Sequence, residues 1–183
     1  MTPTSPTPTS PTPTEEPGSD VAGEATLFGS YFAFLRESVA EKVLGLSEIE
    51  QRTSRLSSGW SPIELLSHLA HMERRWFVWG WQHEDVEAPW GDWDADFTHW
   101  QVPPDVTAES LVELMRTVGR RTDEVLATHD LDTWATPADH FDEGLPTLRW
   151  ICFHVLHEYA RHAGHLDIAV ELTQPRAGVE QQH

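Results

Sequence analysis

Apolar residues recur at helical spacing in four long stretches of the chain, and no segment alternates convincingly at period two. In the first stretch, "EATLFGSYFAFLRESVAEKVLGL" from Glu24, the residues Leu27, Tyr31, Phe34 and Leu35 share a side, followed by Val39, Val43 and Leu46. Gly45 is a stop signal, and a short helix from Ser47 to about Arg55 is expected after it. The second stretch has the clearest start. In "SPIE", Ser61 caps, Pro62 takes the first helical position and Glu64 sits where a capping box needs it. That helix should run from Ser61 to about Trp81, with Leu65, Leu69, Met72, Trp76 and Trp79 in one arc of about 80° at 100° per residue. A third is expected from the cap Thr107 to about Thr128, its inward face made of Leu111, Leu114, Met115, Val118, Val125 and Leu126. A fourth should span Thr147 to about Leu172. Four long helices joined by loops predict an all-α fold, a four-helix bundle.

The intervening segments carry other signals. Residues 1–22 form a Pro/Thr-rich tail, expected to be disordered because it has little apolar surface to bury. The bundle is expected over 23–174, with 175–183 as a C-terminal tail. Residues 82–106 lack periodicity yet hold Trp90, Trp93, Phe97 and Trp100. So aromatic a loop reads either as a lid over a pocket or as closure of a bundle end.

Composition narrows the class. At 183 residues with 39% hydrophobic content, the chain is one domain's worth. A formal charge of −18 argues against nucleic acid and against docking on anionic lipid. A single cysteine, Cys152, leaves no internal disulfide and no cysteine-rich zinc site. No apolar run reaches the roughly 18 residues of a membrane span, and the N-terminus lacks a signal-peptide layout. A cytoplasmic location is expected.

The chemistry concentrates in "WICFHVLHEYARHAGHLD", Trp150 to Asp167, which holds four histidines and a glutamate. With His154 as origin, Glu158 lies at about 40°, His162 at about 80°, His165 at about 20° and Arg161 at about −20°. His157, near −60°, and Cys152, about 160° away, fall outside this stripe. Alone, the stripe could be a solvated helix face. His68 changes the balance, because it falls beside Leu65, Met72 and Trp79, where an aliphatic residue would be expected. His71 points instead towards Glu64 and Arg75 and reads as solvent-facing.

A buried histidine needs a partner. Glu158 and His162, one turn apart on a facing helix, could supply it through a shared divalent cation, as bundles do with inward-projecting ligands. Two imidazoles and one carboxylate leave a coordination position open, which suits a catalytic site. Recruiting His154 or His165 as a fourth ligand would close it into a structural one. "HEYARH" is not the zinc-peptidase H-E-x-x-H, since its histidines stand five residues and about 140° apart. A metal-free bundle in which Glu158 satisfies His68 directly is the remaining alternative.

"WSPIELLSHLAHMERRWF", followed by "LRWICFHVLHEYARHAGHLDIAVEL", resembles the DinB/YfiT-like metalloenzyme superfamily over roughly Glu24 to Leu172. More narrowly, it is similar to the actinobacterial mycothiol-transferase-like branch. The resemblance implies a bundle holding one divalent metal ion, zinc or nickel, with His68, Glu158 and His162 as ligands. It also implies thiol S-transfer, in which mycothiol or a related small thiol attacks an electrophile. Arg161 and His165 would then be catalytic, His154 would bind substrate, and the chain would form a homodimer. The mycothiol-dependent maleylpyruvate isomerase is similar in its E-x-x-x-H arrangement but carries a further C-terminal domain. Here the chain ends soon after Leu172, so an S-transferase is expected over an isomerase. The alternative is a non-catalytic, stress-associated bundle whose metal only fixes the fold.

Overall fold

The computed structural model describes residues 15–137 and 144–173. The tail expected at 1–22 therefore lies outside the described residues as far as residue 14, and the one at 175–183 lies wholly outside them. The helices are α1 (Glu24–Leu44), the short α2 (Glu48–Gln51), α3 (Pro62–Arg74), α4 (Ala108–Thr128) and α5 (Leu148–Glu171). The described residues contain no strand, only isolated bridges pairing Trp93 with Trp100 and Trp134 with Thr147. No helix among them is long and apolar enough to cross a membrane.

Local chemistry sets the helix starts. Glu64 Oε2 accepts from the Ser61 backbone N–H at 2.7 Å and its hydroxyl at 2.8 Å, with Pro62 opening α3. Thr107 and Ser110 close a similar box at the head of α4, and the Thr147 side chain accepts from Trp150 N–H at the head of α5. Two boundaries depart from expectation. α2 stops at Gln51 rather than near Arg55, because the Gln51 amide turns back to donate to the carbonyls of Val43 and Leu46 at the end of α1. The α3 stretch does reach Trp81, but its last segment, Arg75–Trp81, winds as a π-helix. Such wide turns are rare and occur often at functional sites.

Each of α1 and α3 packs against both α4 and α5, so α1 and α3 occupy one diagonal of the bundle. Phe32, Val39, Leu65, Leu69, Phe77, Met115, Ile151, Val155 and Leu166 are buried between them. One charged network lies inside this apolar mass. Glu73, fully buried, accepts from Arg36 at 2.8 and 3.0 Å, from the Thr122 hydroxyl at 2.6 Å and from the Tyr159 hydroxyl at 2.6 Å. Residues of all four long helices thus meet at a single carboxylate.

Candidate metal centre

α3 and α5 face each other along the flank of the core, and there they bring together His68, Glu158 and His162. Each offers one ligand atom, and these atoms all lie within 4.8 Å of one another. His68 Nε2 is 3.7 Å from Glu158 Oε2, and His162 Nε2 is 3.2 Å from the same oxygen. A tetrahedral zinc ion bound at 2.0–2.1 Å holds its ligand atoms roughly 3.3 Å apart, so both separations suit one shared ion. The donor set of two imidazole nitrogens and one carboxylate oxygen suits a borderline ion such as zinc or nickel.

The electrostatics agree with that geometry. His68 beside it, more than any other influence, holds the Glu158 carboxyl down at about 2 despite partial burial. Burial first, and then the neighbouring His68, pushes His162 down to about 4. At neutral pH the carboxylate is charged and the His162 ring is not, which are the forms that bind a metal. His162 Nδ1 is buried without a hydrogen-bond partner.

His68 is held differently. Its Nδ1 lies 2.9 Å from Oδ2 of Asp92, a fully buried carboxylate on the loop after the π-helix. Arg75 grips the same carboxylate through both terminal nitrogens, at 2.5 and 3.2 Å. Burial alone would raise the Asp92 carboxyl, but the hydrogen bonds from His68 and Arg75 overcome it and hold the group below its usual range. Trp100 stacks on the His68 ring at 4.1 Å with the planes 17° apart, and its edge meets His162 at 5.3 Å. The aromatic loop therefore lies over His68 and His162. His83, Ala88 and Phe97 hold left-handed backbone angles within it (φ 56°, 47° and 56°), a conformation that persists in non-glycine residues only when the surroundings enforce it.

The remaining candidates surround this centre unequally. His165 is half-buried, its ring 5.4 Å from His162 and 6.3 Å from Trp60. His154 is half-buried too, stacked on Trp150 at 5.2 Å and 4.6 Å from Trp76, and burial lowers its pKa below the usual histidine value. Arg161 is exposed, and His157 is exposed with Nδ1 3.6 Å from Glu158 Oε1. Cys152 is fully buried and its thiol is pushed up to about 12, chiefly by burial.

One reading of the helix face needs correcting. His71 is not solvent-facing: it is half-buried under the loop, its Nδ1 donating to the Ser67 carbonyl at 2.9 Å. A Cβ on Gly91 would come 3.0 Å from its Nε2, so the loop descends onto this ring as well. Asp92 and Arg75 were missed by the sequence reasoning, and Trp100 was noted only as part of the aromatic loop. Only Arg75, two turns beyond His68 on the same helix, left a spacing signal that could have been followed.

No curated protein matches the chain. Over residues 27–175, which take in the four long helices almost entirely and all three candidate ligands, the chain matches the mycothiol-S-transferases, and it belongs to that family.

Proposed function

We propose that the protein is a divalent-metal-dependent thiol S-transferase, with His68, Glu158 and His162 holding a zinc or nickel ion and mycothiol or a related small thiol as the attacking group. The observation that carries this reading is the approach of two histidine nitrogens to one carboxylate oxygen, at 3.7 and 3.2 Å, on the flank of the bundle. A metal ion bound there would lower the pKa of a thiol brought to it, and thiolate is the reactive form. Family membership supports the thiol.

The chain's own residues define the rest of the reaction. Cys152 is no candidate nucleophile, because its thiol is buried and titrates near 12, so the sulfur must come from a bound small molecule. The thiol gives up its proton, its sulfur bonds to the electrophilic carbon, and the electron pair of the broken bond leaves with the displaced group or is protonated. His165, beside His162, is assigned as the residue that takes and returns that proton. His154, neutral at physiological pH and flanked by Trp76 and Trp150, lines the substrate side. Arg161, exposed on α5, is assigned to a substrate carboxylate at the rim. Trp100 covers His68 and excludes water from that side.

We place the protein in the cytoplasm, where small thiols stay reduced. A homodimer belongs to the same reading, and the exposed Trp150 and Phe153 on α5 offer an apolar face for it.

The test is metal content by plasma mass spectrometry on untagged protein, compared with His68→Ala and His162→Ala. About one divalent ion per chain, lost in both variants, is the expected result. No metal in the wild type after incubation with zinc and with nickel would overturn the proposal. With the metal established, loss of thiol transfer on chelation and its recovery on reloading separate the transferase from a bundle that only stores or is braced by the ion.

A further inference from the structure

The His68 ring has one nitrogen directed at the other two candidate ligands and one directed away from them. The second, Nδ1, meets the Asp92 carboxylate at 2.9 Å. A carboxylate only accepts hydrogen bonds, so this contact requires the proton of a neutral His68 ring to sit on Nδ1. The other nitrogen, Nε2, lies 3.7 Å from Glu158 Oε2.

Asp92 is itself held from two directions. Arg75, at the start of the π-helix, donates to both of its oxygens and also to the Pro89 carbonyl at 3.0 Å, with the Trp90 ring over its guanidinium at 4.3 Å. On the other side, the Asp92 carbonyl accepts the Gln101 N–H at 3.0 Å. That bond ties Asp92 to the strand-like partner segment in which Trp93 and Trp100 pair, and Trp100 stacks on the same His68 ring. A fully buried carboxylate with this set of donors is fixed in orientation. His162 has no such support, since its Nδ1 is unpartnered.

We infer that Asp92 is a positioning residue, clamped by Arg75, which sets His68 as the Nδ1–H tautomer and so makes the metal centre depend on docking of the aromatic loop at 82–106. This rests on the metal-site reading given above. Asp92 is fully buried, with His68 and Arg75 on its carboxylate. It acts through the ring it orients, as outer carboxylates do for histidine ligands elsewhere, where their loss weakens metal binding about 10–100-fold. His68 and Asp92 are brought together only when the loop is seated. Binding of a metal to His68 then stabilises the seated loop, and loss of the loop contact weakens the metal by the same factor.

Two measurements on full-length protein decide it. Long-range proton–nitrogen NMR spectra of the metal-free wild type report the tautomer of His68 directly, with its signal assigned by its absence from His68→Ala. The expected pattern is Nδ1–H in the wild type and a shift towards Nε2–H in Asp92→Asn. Competition titration with zinc should give Asp92→Asn a dissociation constant roughly 10–100-fold weaker than the wild type. An Nε2–H tautomer in the wild type, or zinc affinity unchanged in a folded Asp92→Asn, would overturn the inference. If Asp92→Asn fails to fold, the wild-type tautomer still decides. If the wild type binds no metal, the proposed function fails, while the tautomer measurement judges the positioning role by itself.

Discussion

The Tyr159 hydroxyl donates to Glu73 Oε2 at 2.6 Å, joining α5 to α3 across the middle of the core one residue along from the candidate ligand Glu158. The same carboxylate receives Arg36 from α1 and Thr122 from α4, so every oxygen lone pair that matters is used. A satisfied network of this kind favours one register of the helices over its neighbours, because any slip leaves a buried charge without partners. The register it favours is the one that sets Glu158 and His162 opposite His68.

Removing members of that network should therefore cost stability in a graded way. Tyr159→Phe loses one hydrogen bond to a charged acceptor, on the order of 1.5–3 kcal/mol. Glu73→Leu strands the buried Arg36 guanidinium, and a loss of about 3–5 kcal/mol is expected. Urea denaturation monitored by circular dichroism measures both. Equal losses for the two variants would show that the ion pair is not the dominant contact.

Gly119 on α4 lies against the same guanidinium. A Cβ there would stand 2.6 Å from Arg36 Nη1 and 2.7 Å from its Cζ. Glu73 holds Arg36 by two hydrogen bonds, so the guanidinium cannot retreat without breaking them. Gly119→Ala should lose roughly 1–3 kcal/mol to the clash, more than offsetting the gain of about 1 kcal/mol from removing a helical glycine. A raised melting temperature in this variant would mean that Arg36 has room to move.

Acidification should weaken the metal-free fold through His162. Its folded-state pKa of about 4 lies below the ordinary 6.5, so between these values the unfolded chain binds a proton that the folded chain does not. The stability it contributes is complete above about pH 6.5 and is lost as pH falls towards 4. Glu158, at about 2 against an ordinary 4.5, adds a loss of the same sign below about pH 4.5. Melting temperatures in chelator from pH 7.5 to 4.5 should fall, and His162→Gln should flatten the part of the slope above pH 4.5. An unchanged slope in the variant would assign the acid sensitivity to other groups.

Cys152 should be inert. Its thiol is buried and raised to about 12, so Ellman's reagent should react with it only after unfolding. Cys152→Ala should keep the metal binding and thiol transfer proposed above, with a stability cost on the order of 1 kcal/mol from the lost sulfur. Loss of activity in a folded, metal-loaded Cys152→Ala would show that the protein's own thiol takes part.

Helix positions were readable from the chain because the forces that set them are local. The Ser61–Glu64 box, Pro62, and the caps Thr107 and Thr147 act within a few residues, and an apolar stripe at 3.6-residue period shows in any short window. The same periodicity placed Glu158 and His162 on one stripe of α5 and set His68 beside an apolar arc, which sufficed to nominate all three. What spacing could not supply was anything arriving from a loop. Asp92 reaches His68 from 24 residues along the chain, in a segment with no period, and its partner Arg75 was named only for lying on the side of His71. His71 read as solvent-facing for the same reason, since only the descent of Gly91 covers it. Glu73 and Tyr159, 86 residues apart, carried no mark of the bond between them. The sequence by itself determined the helices and which of their faces bring His68, Glu158 and His162 together, because hydrogen bonding and amphipathic burial within a helix are short-range. Tertiary structure alone decided which buried charges find partners and how the His68 ring is turned, because these depend on helices and a loop meeting across space at distances of about 3 Å.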